Sequence, residues 1–165
     1  MKNDAKSQLK KILGTYDDRV AADERRIIAK RAADAAFPER FAALREATLR
    51  PAIQEFVDVL TGHGHEATSR EQEESSSSTG AVSFAAISLR LNPKPFAFKS
   101  VETNRSFIEV TFSANRNERK VTVSSTNTIV NSNGSLGKRG EYEIDAMTAD
   151  VVAEHVLRSL QEALV

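Results

Sequence analysis

A change of hydrophobic period near residue 65 constrains this chain more than any other feature. Before it, Leu9, Ile12, Leu13, Tyr16, Val20 and Ile27 recur at steps of three and four, with Lys10, Lys11, Asp17, Asp18, Arg19, Arg25 and Arg26 between them. That is the pattern of a helix with one apolar stripe and a solvated opposite face. Beyond residue 65, apolar and polar side chains alternate singly, as they do along strands with one buried face. A chain written this way puts helices first and an antiparallel sheet second.

The helical block has three punctuation marks. Gly14 costs a helix about 1 kcal/mol against alanine, so the first helix either breaks there or runs unbroken from residue 4 to 36. Unbroken, it is on the order of 50 Å long at 1.5 Å per residue, more than a small domain is wide, and part of it needs a partner. The pair Phe37-Pro38 predicts the end of that helix, because the residue before proline is steered away from helical geometry. Pro38 then suits the first turn of a second helix carrying Phe41, Leu44, Phe56, Val57 and Leu60. Pro51 is expected to kink or split it, and Gly62 to stop it. The stretch "AKRAADAAF" is compatible with close helix packing, but plain helix propensity explains it as well.

The strand block begins with "HEATSREQ", a polar edge-strand candidate, followed by "EESSSSTG" as a loop. "AVSFAAISLRL" places Ile87, Leu89 and Leu91 on one face, and "PFAFKSV" follows a proline-bounded turn at 92–95. "SFIEVTFSA" sets Ile108, Val110 and Phe112 opposite Glu109, Thr111 and Ser113. "RKVTVSSTNTIV" sets Val121, Val123 and Ile129 opposite Thr122, Ser124, Thr126 and Thr128. A hairpin loop at Asn115–Glu118 predicts Phe112 facing Val121, Val110 facing Val123 and Thr111 facing Thr122. Both apolar faces then fall on one side; a one-residue slip destroys the match. The turn-rich "NSNGSLGKRG" leads to a short strand "EYEI", and then to a helix with Thr148 as N-cap and Val152, Val156, Leu160 and Leu164 as its buried stripe. The expected fold is α+β: two N-terminal helices, a five- to six-stranded antiparallel meander sheet, and a C-terminal helix packed on the same sheet face. Residues 1–62 form the helical segment and 63–165 the sheet with its last helix, together one globular unit without internal repeats.

Composition excludes several function classes. The chain has no cysteine, which removes disulfides, thiol catalysis and cysteine-based zinc or iron–sulfur sites. No stretch approaches the ~20 apolar residues of a membrane span, and "MKNDAKSQLKKIL" lacks the apolar core of a secretory signal. A soluble, cytoplasmic protein is expected. Basic and acidic side chains number 23 each, and neither side of residue 62 is strongly biased. Arg19, Arg25, Arg26 and Arg31 are interleaved with Asp17, Asp18, Asp23, Glu24 and Asp34. Neutralisation of this kind disfavours nucleic acid as the partner, since phosphate contacts dominate such affinity.

Candidate chemistry is sparse. His63 and His65, two apart at the start of a strand, point the same way and form a possible metal pair, with a third ligand required from His155, Glu66 or a distant acid. Gly64 between them loosens the pair, and a glycine-punctuated helix-to-strand turn with solvated histidines is the plainer reading. Acids around the serine run (Glu71, Glu73, Glu74) resemble an acidophilic kinase context, but a flexible loop tip explains it too. Glu109, Tyr142 and His155 are the candidate polar groups of a ligand pocket between sheet and helices. No serine lies in a nucleophile elbow and no phosphate loop is present, so no catalytic residue is assigned and no cofactor is implied. The hydroxyl-rich sheet face, with Phe96, Phe98 and Phe107 nearby, is either solvated or a flat binding surface. The function these residues favour is a non-enzymatic protein-interaction or regulatory module, self-associating through its N-terminal helices or a sheet edge. A homo-oligomer is the expected assembly, with another protein as the other candidate partner. The alternative is a small-ligand-binding or enzyme domain.

Overall fold

The computed structural model describes residues 3–94, 106–129 and 137–165. By its internal contacts the chain divides into two compact units, Met1–Ala36 and Phe37–Val165. Helix α1 spans Asn3–Leu44 and passes through both Gly14 and Pro38 without interruption. The expected break at Phe37-Pro38 is therefore overturned. Phe37 and Phe41, one turn apart on either side of the proline, are both buried. Burying each stabilises by about 1.5–3 kcal/mol, which offsets the roughly 3 kcal/mol that an interior proline costs.

The helical hydrogen-bond pattern changes seven residues later. Arg45–Leu49 form a π-helical turn, in which the Arg50 N–H reaches back to the Arg45 carbonyl. Helix α2, Arg50–Gly62, follows directly, with Pro51 in its first turn. Pro51 thus follows a change of helical hydrogen-bond pattern and not a break: Leu44, Leu49 and Arg50 all keep right-handed helical dihedrals. At the other end, the Gly64 N–H binds the Thr61 carbonyl at 2.9 Å and the His65 N–H binds that of Leu60 at 3.1 Å. This is a Schellman closure, and Gly64 supplies its left-handed residue with φ +84. Gly62 is the last helical residue, but the conformational stop is two positions on.

Strand β1, Glu66–Gln72, is followed by a small hairpin of β2, Ser75–Ser76, and β3, Val82–Ser83. The serine run expected as a loop therefore forms a paired tip; its turn is closed by the Ser77 hydroxyl on the Ala81 N–H at 3.1 Å. Strands β4 (Ala86–Asn92), β5 (Ile108–Asn115), β6 (Lys120–Asn127) and β7 (Gly137–Tyr142) complete a five-stranded antiparallel meander in the order β1-β4-β5-β6-β7. The expected strand at "PFAFKSV" lies outside the described residues.

The β5–β6 register differs from the expected one by two residues. Phe112 pairs with Val123 and Ala114 with Val121, while Thr111 pairs with Ser124. The loop is 116–119, not 115–118, because Asn115 stays in the ladder and its side chain accepts the Glu118 N–H at 3.3 Å. Arg119 adopts φ 54 to close it. A shift of two preserves the faces, so the apolar sides still coincide. The strand expected at "EYEI" is also displaced: β7 ends at Tyr142 and Ile144–Ala146 form a 3-10 turn.

Helix α3, Ala149–Leu164, is capped by Thr148, whose hydroxyl accepts the Val151 N–H at 3.4 Å. In the second unit one cluster joins Phe37, Phe41, Leu49 and Ile53 to Ile87, Leu89, Val110, Phe112, Val121 and Val123 of the sheet, and to Val152 and Val156 of α3. The helices of this unit therefore cover a single sheet face. Leu164, expected in the buried stripe, is exposed; His155, Ser159 and Ala163 occupy the buried side instead. The architecture is α+β, with a long N-terminal helix, an antiparallel five-stranded sheet and a C-terminal helix on the covered face.

Candidate functional site

Glu109, Tyr142 and His155 do not converge. Strand alternation sends Glu109 to the sheet face opposite the helices, where it accepts from the Ser88 hydroxyl at 2.8 Å and lies 3.8 Å from Arg90. Arg90 in turn stacks over the Phe107 ring at 3.7 Å from its centroid. Tyr142 pairs with Val121 and so faces the core side. There its Oη meets His155 Nε2 at 2.6 Å, with the rings edge to face at 80°. The pocket expected from all three residues is corrected to two separate polar pairs on opposite sides of the sheet.

The Tyr142–His155 pair belongs to the core. His155 is 3 % exposed, and burial holds its imidazole below the ordinary value of 6.5, with Arg158 and Arg139 adding to the effect against Glu154. A neutral, enclosed imidazole bound to a phenol satisfies two polar groups inside the fold. Gly140 makes room for it: a Cβ there would meet the Tyr142 ring at 3.0 Å.

Sequence reading missed the cluster beside this pair. The β6–β7 ladder shifts register between Val123 and Ser124, so that Val123 pairs with Gly140 and Ser124 with Lys138. Arg139 is the extra residue of this bulge. Its Nε donates to Ser125 at 2.7 Å and its other nitrogens form a forked pair with Glu162 of α3. The bulge converts a residue of the "NGSLGKRG" turn into a clasp between strand and helix. No local motif announces it, because Glu162 lies more than twenty positions away.

His63 and His65 sit at the end of α2, not on a strand, and the same-side argument for them does not apply. His63 is the C-cap, and its carbonyl accepts from the Lys94 ammonium at 2.9 Å. His65 Nδ1 accepts the Lys94 N–H at 3.1 Å. Burial, aided by the charge of Lys94, pushes its pKa below 6.5. Among the described residues, no group of three or more His, Asp or Glu side chains is placed to hold a metal ion.

A second feature unannounced by sequence is a cleft of about 260 Å³ between the Phe37–Arg45 segment and the sheet, lined by Phe37, Phe41, Ala85 and Ala114. Arg45, on the π-helical turn, also lines it with a side chain only 10 % exposed. It donates to Glu73 at 2.6 Å, lies 3.8 Å from Glu71, and keeps a buried Nε without a hydrogen-bond partner. Arg116 and Glu74, 3.3 Å apart, line the same cleft. With its charges paired, the cleft is chemically suited to an apolar group. It is slightly below the size of ordinary ligand pockets.

Among the described residues, α1 carries a run of exposed apolar side chains. Leu9, Ile12, Leu13, Tyr16, Val20, Ile27 and Ile28 are each between 39 and 66 % exposed. No helix among the described residues is long and apolar enough to cross a membrane. No family model matches this chain, and no curated protein or solved structure matches it either.

Proposed function

We propose that this chain is a non-enzymatic protein-interaction module that self-associates through the first part of α1. The observation that carries this reading is the run of seven large apolar side chains left open to solvent, Leu9, Leu13, Tyr16, Val20 and Ile27 among them on one helical face. A lone helix cannot bury its own stripe, and in water such helices owe most of their stability to packing. Exposed apolar surface at this density favours an interaction site over a free surface. A second chain supplies the missing cover without requiring any other component.

The test is native mass spectrometry with sedimentation velocity on the purified chain. A dimer at the bare protein mass is expected, and Leu13→Glu with Tyr16→Glu should return it to monomer. A wild-type monomer throughout the micromolar range would overturn the reading. The cleft beside Arg45 supports a second reading, a small-ligand-binding domain with its pocket between helix and sheet. A reproducible extra mass that survives desalting, and that is lost in Ala114→Phe, would put that reading first.

A further inference from the structure

We infer that the partner on α1 is a second copy of this chain lying antiparallel, centred between Gly14 and Thr15. The inference rests on the self-association proposed above and adds its orientation and register. Residues 6, 9, 13, 16, 20 and 23 follow alternating steps of three and four, the spacing of a seam between two helices. They are Lys6, Leu9, Leu13, Tyr16, Val20 and Asp23. Four apolar residues are thus bracketed by a cation at one end and an anion at the other.

That order is self-complementary in only one direction. Run antiparallel, Leu9 meets Val20 of the copy, Leu13 meets Tyr16, and Lys6 meets Asp23, each layer occurring twice by symmetry. On one margin of the seam, Lys10 comes alongside Asp17 of the copy. Run parallel and in register, Lys6 faces Lys6 and Asp23 faces Asp23 at the two ends of the seam, and like charges there repel. The intramolecular alternative for Asp23 is weak: its pair with Arg26 is 3.8 Å long and both side chains are largely exposed. Gly14 lies away from the seam on the helical wheel, and nothing stands within 4 Å of the position of its absent Cβ.

Charge reversal reads the orientation. In the antiparallel pair, Lys6→Glu sets two acids against each other in both end layers, and the dimer dissociation constant should rise about tenfold. Asp23→Lys should do the same, and the double variant Lys6→Glu/Asp23→Lys should return to within about twofold of wild type. In a parallel pair Lys6→Glu merely exchanges one repulsion for another, and the constant should hardly move. Far-UV circular dichroism verifies that each variant keeps its helix. Because the chain has no cysteine, single spin labels at Gln8→Cys and Thr15→Cys give an independent reading. The Thr15 labels should be markedly closer than the Gln8 labels, whose axial offset across the pair is about 20 Å. A monomeric wild type defeats the self-association itself. A dimer with equal label distances, or with single variants as tight as wild type, defeats the antiparallel register alone.

Discussion

Two stretches of the same helix meet opposite fates. Around Pro38, Phe37 and Phe41 stand one turn apart and are both buried. Around Gly14, Leu9, Leu13 and Tyr16 stand at the same spacing and are about half exposed or more. Local propensity does not explain the contrast, since the buried stretch contains the stronger helix breaker. What differs is that Phe37 and Phe41 share a cluster with strand residues, whereas the first unit consists of helix alone. An apolar stripe shows that a face wants cover; it carries no information about what supplies it.

The sharpest way to break this contrast is to truncate one residue from each stretch. Phe41→Ala should destabilise the chain by about 3–5 kcal/mol in denaturant unfolding, as loss of a buried aromatic does. Leu13→Ala should change monomer stability by no more than about 0.5 kcal/mol while weakening self-association. Equal losses in dilute monomer would mean that the first part of α1 is packed after all.

A smaller effect tests the polar side of the core. Tyr142→Phe leaves the buried His155 nitrogen without its partner and should cost about 1–3 kcal/mol, measured in the same way. The same histidine sets a pH dependence. The folded chain holds His155 neutral below its ordinary value of 6.5, and His65 is shifted in the same direction. The unfolded chain binds protons first as pH falls, so stability present at neutral pH should be lost progressively below about 6.5. In His155→Gln, thermal unfolding followed from pH 7.5 to 5 should show a flatter dependence. An unchanged slope would place the imidazole in water, against its burial. The smallest expected effect is at Gly14. Gly14→Ala meets no neighbouring atom and should strengthen the first part of α1 by about 1 kcal/mol or less, seen as slower amide exchange across residues 3–36. No change there would mean that this stretch is already held by its partner.

Much of the fold was legible in the residues, for reasons that are local. The alternation in "SFIEVTFSA" and "RKVTVSSTN" identified β5 and β6 and their apolar sides. Thr148 acts as its chemistry requires, as an N-cap. The failures have two causes, distance along the chain and the even period of a strand. Pro38 was read as a break because the strands that bury Phe37 and Phe41 lie more than forty residues away. The β5–β6 register slipped by two because hydrophobic parity tolerates any even shift, and the Asn115 side chain with the left-handed Arg119 backbone favours one of them.

The candidate site was less legible still. Tyr142 and His155 were singled out as polar groups and do meet, but the pleat sends Glu109 to the other face. Sequence places Arg139 at a solvated hairpin tip and does not single out Glu162, since a one-residue bulge decides which way Arg139 points. Arg45 joins Glu71 and Glu73 only because the π-helical turn directs it against the end of β1.

Sequence by itself determined the order of helix and sheet, the helical stripe and the apolar face of each strand, because these follow from periods of 3.6 and 2 that neighbouring residues can write. Tertiary structure decided where α1 continues, which polar groups pair and which stripe finds cover. Those outcomes depend on burial and hydrogen bonding between residues far apart in the chain, and such terms are large enough to override a proline.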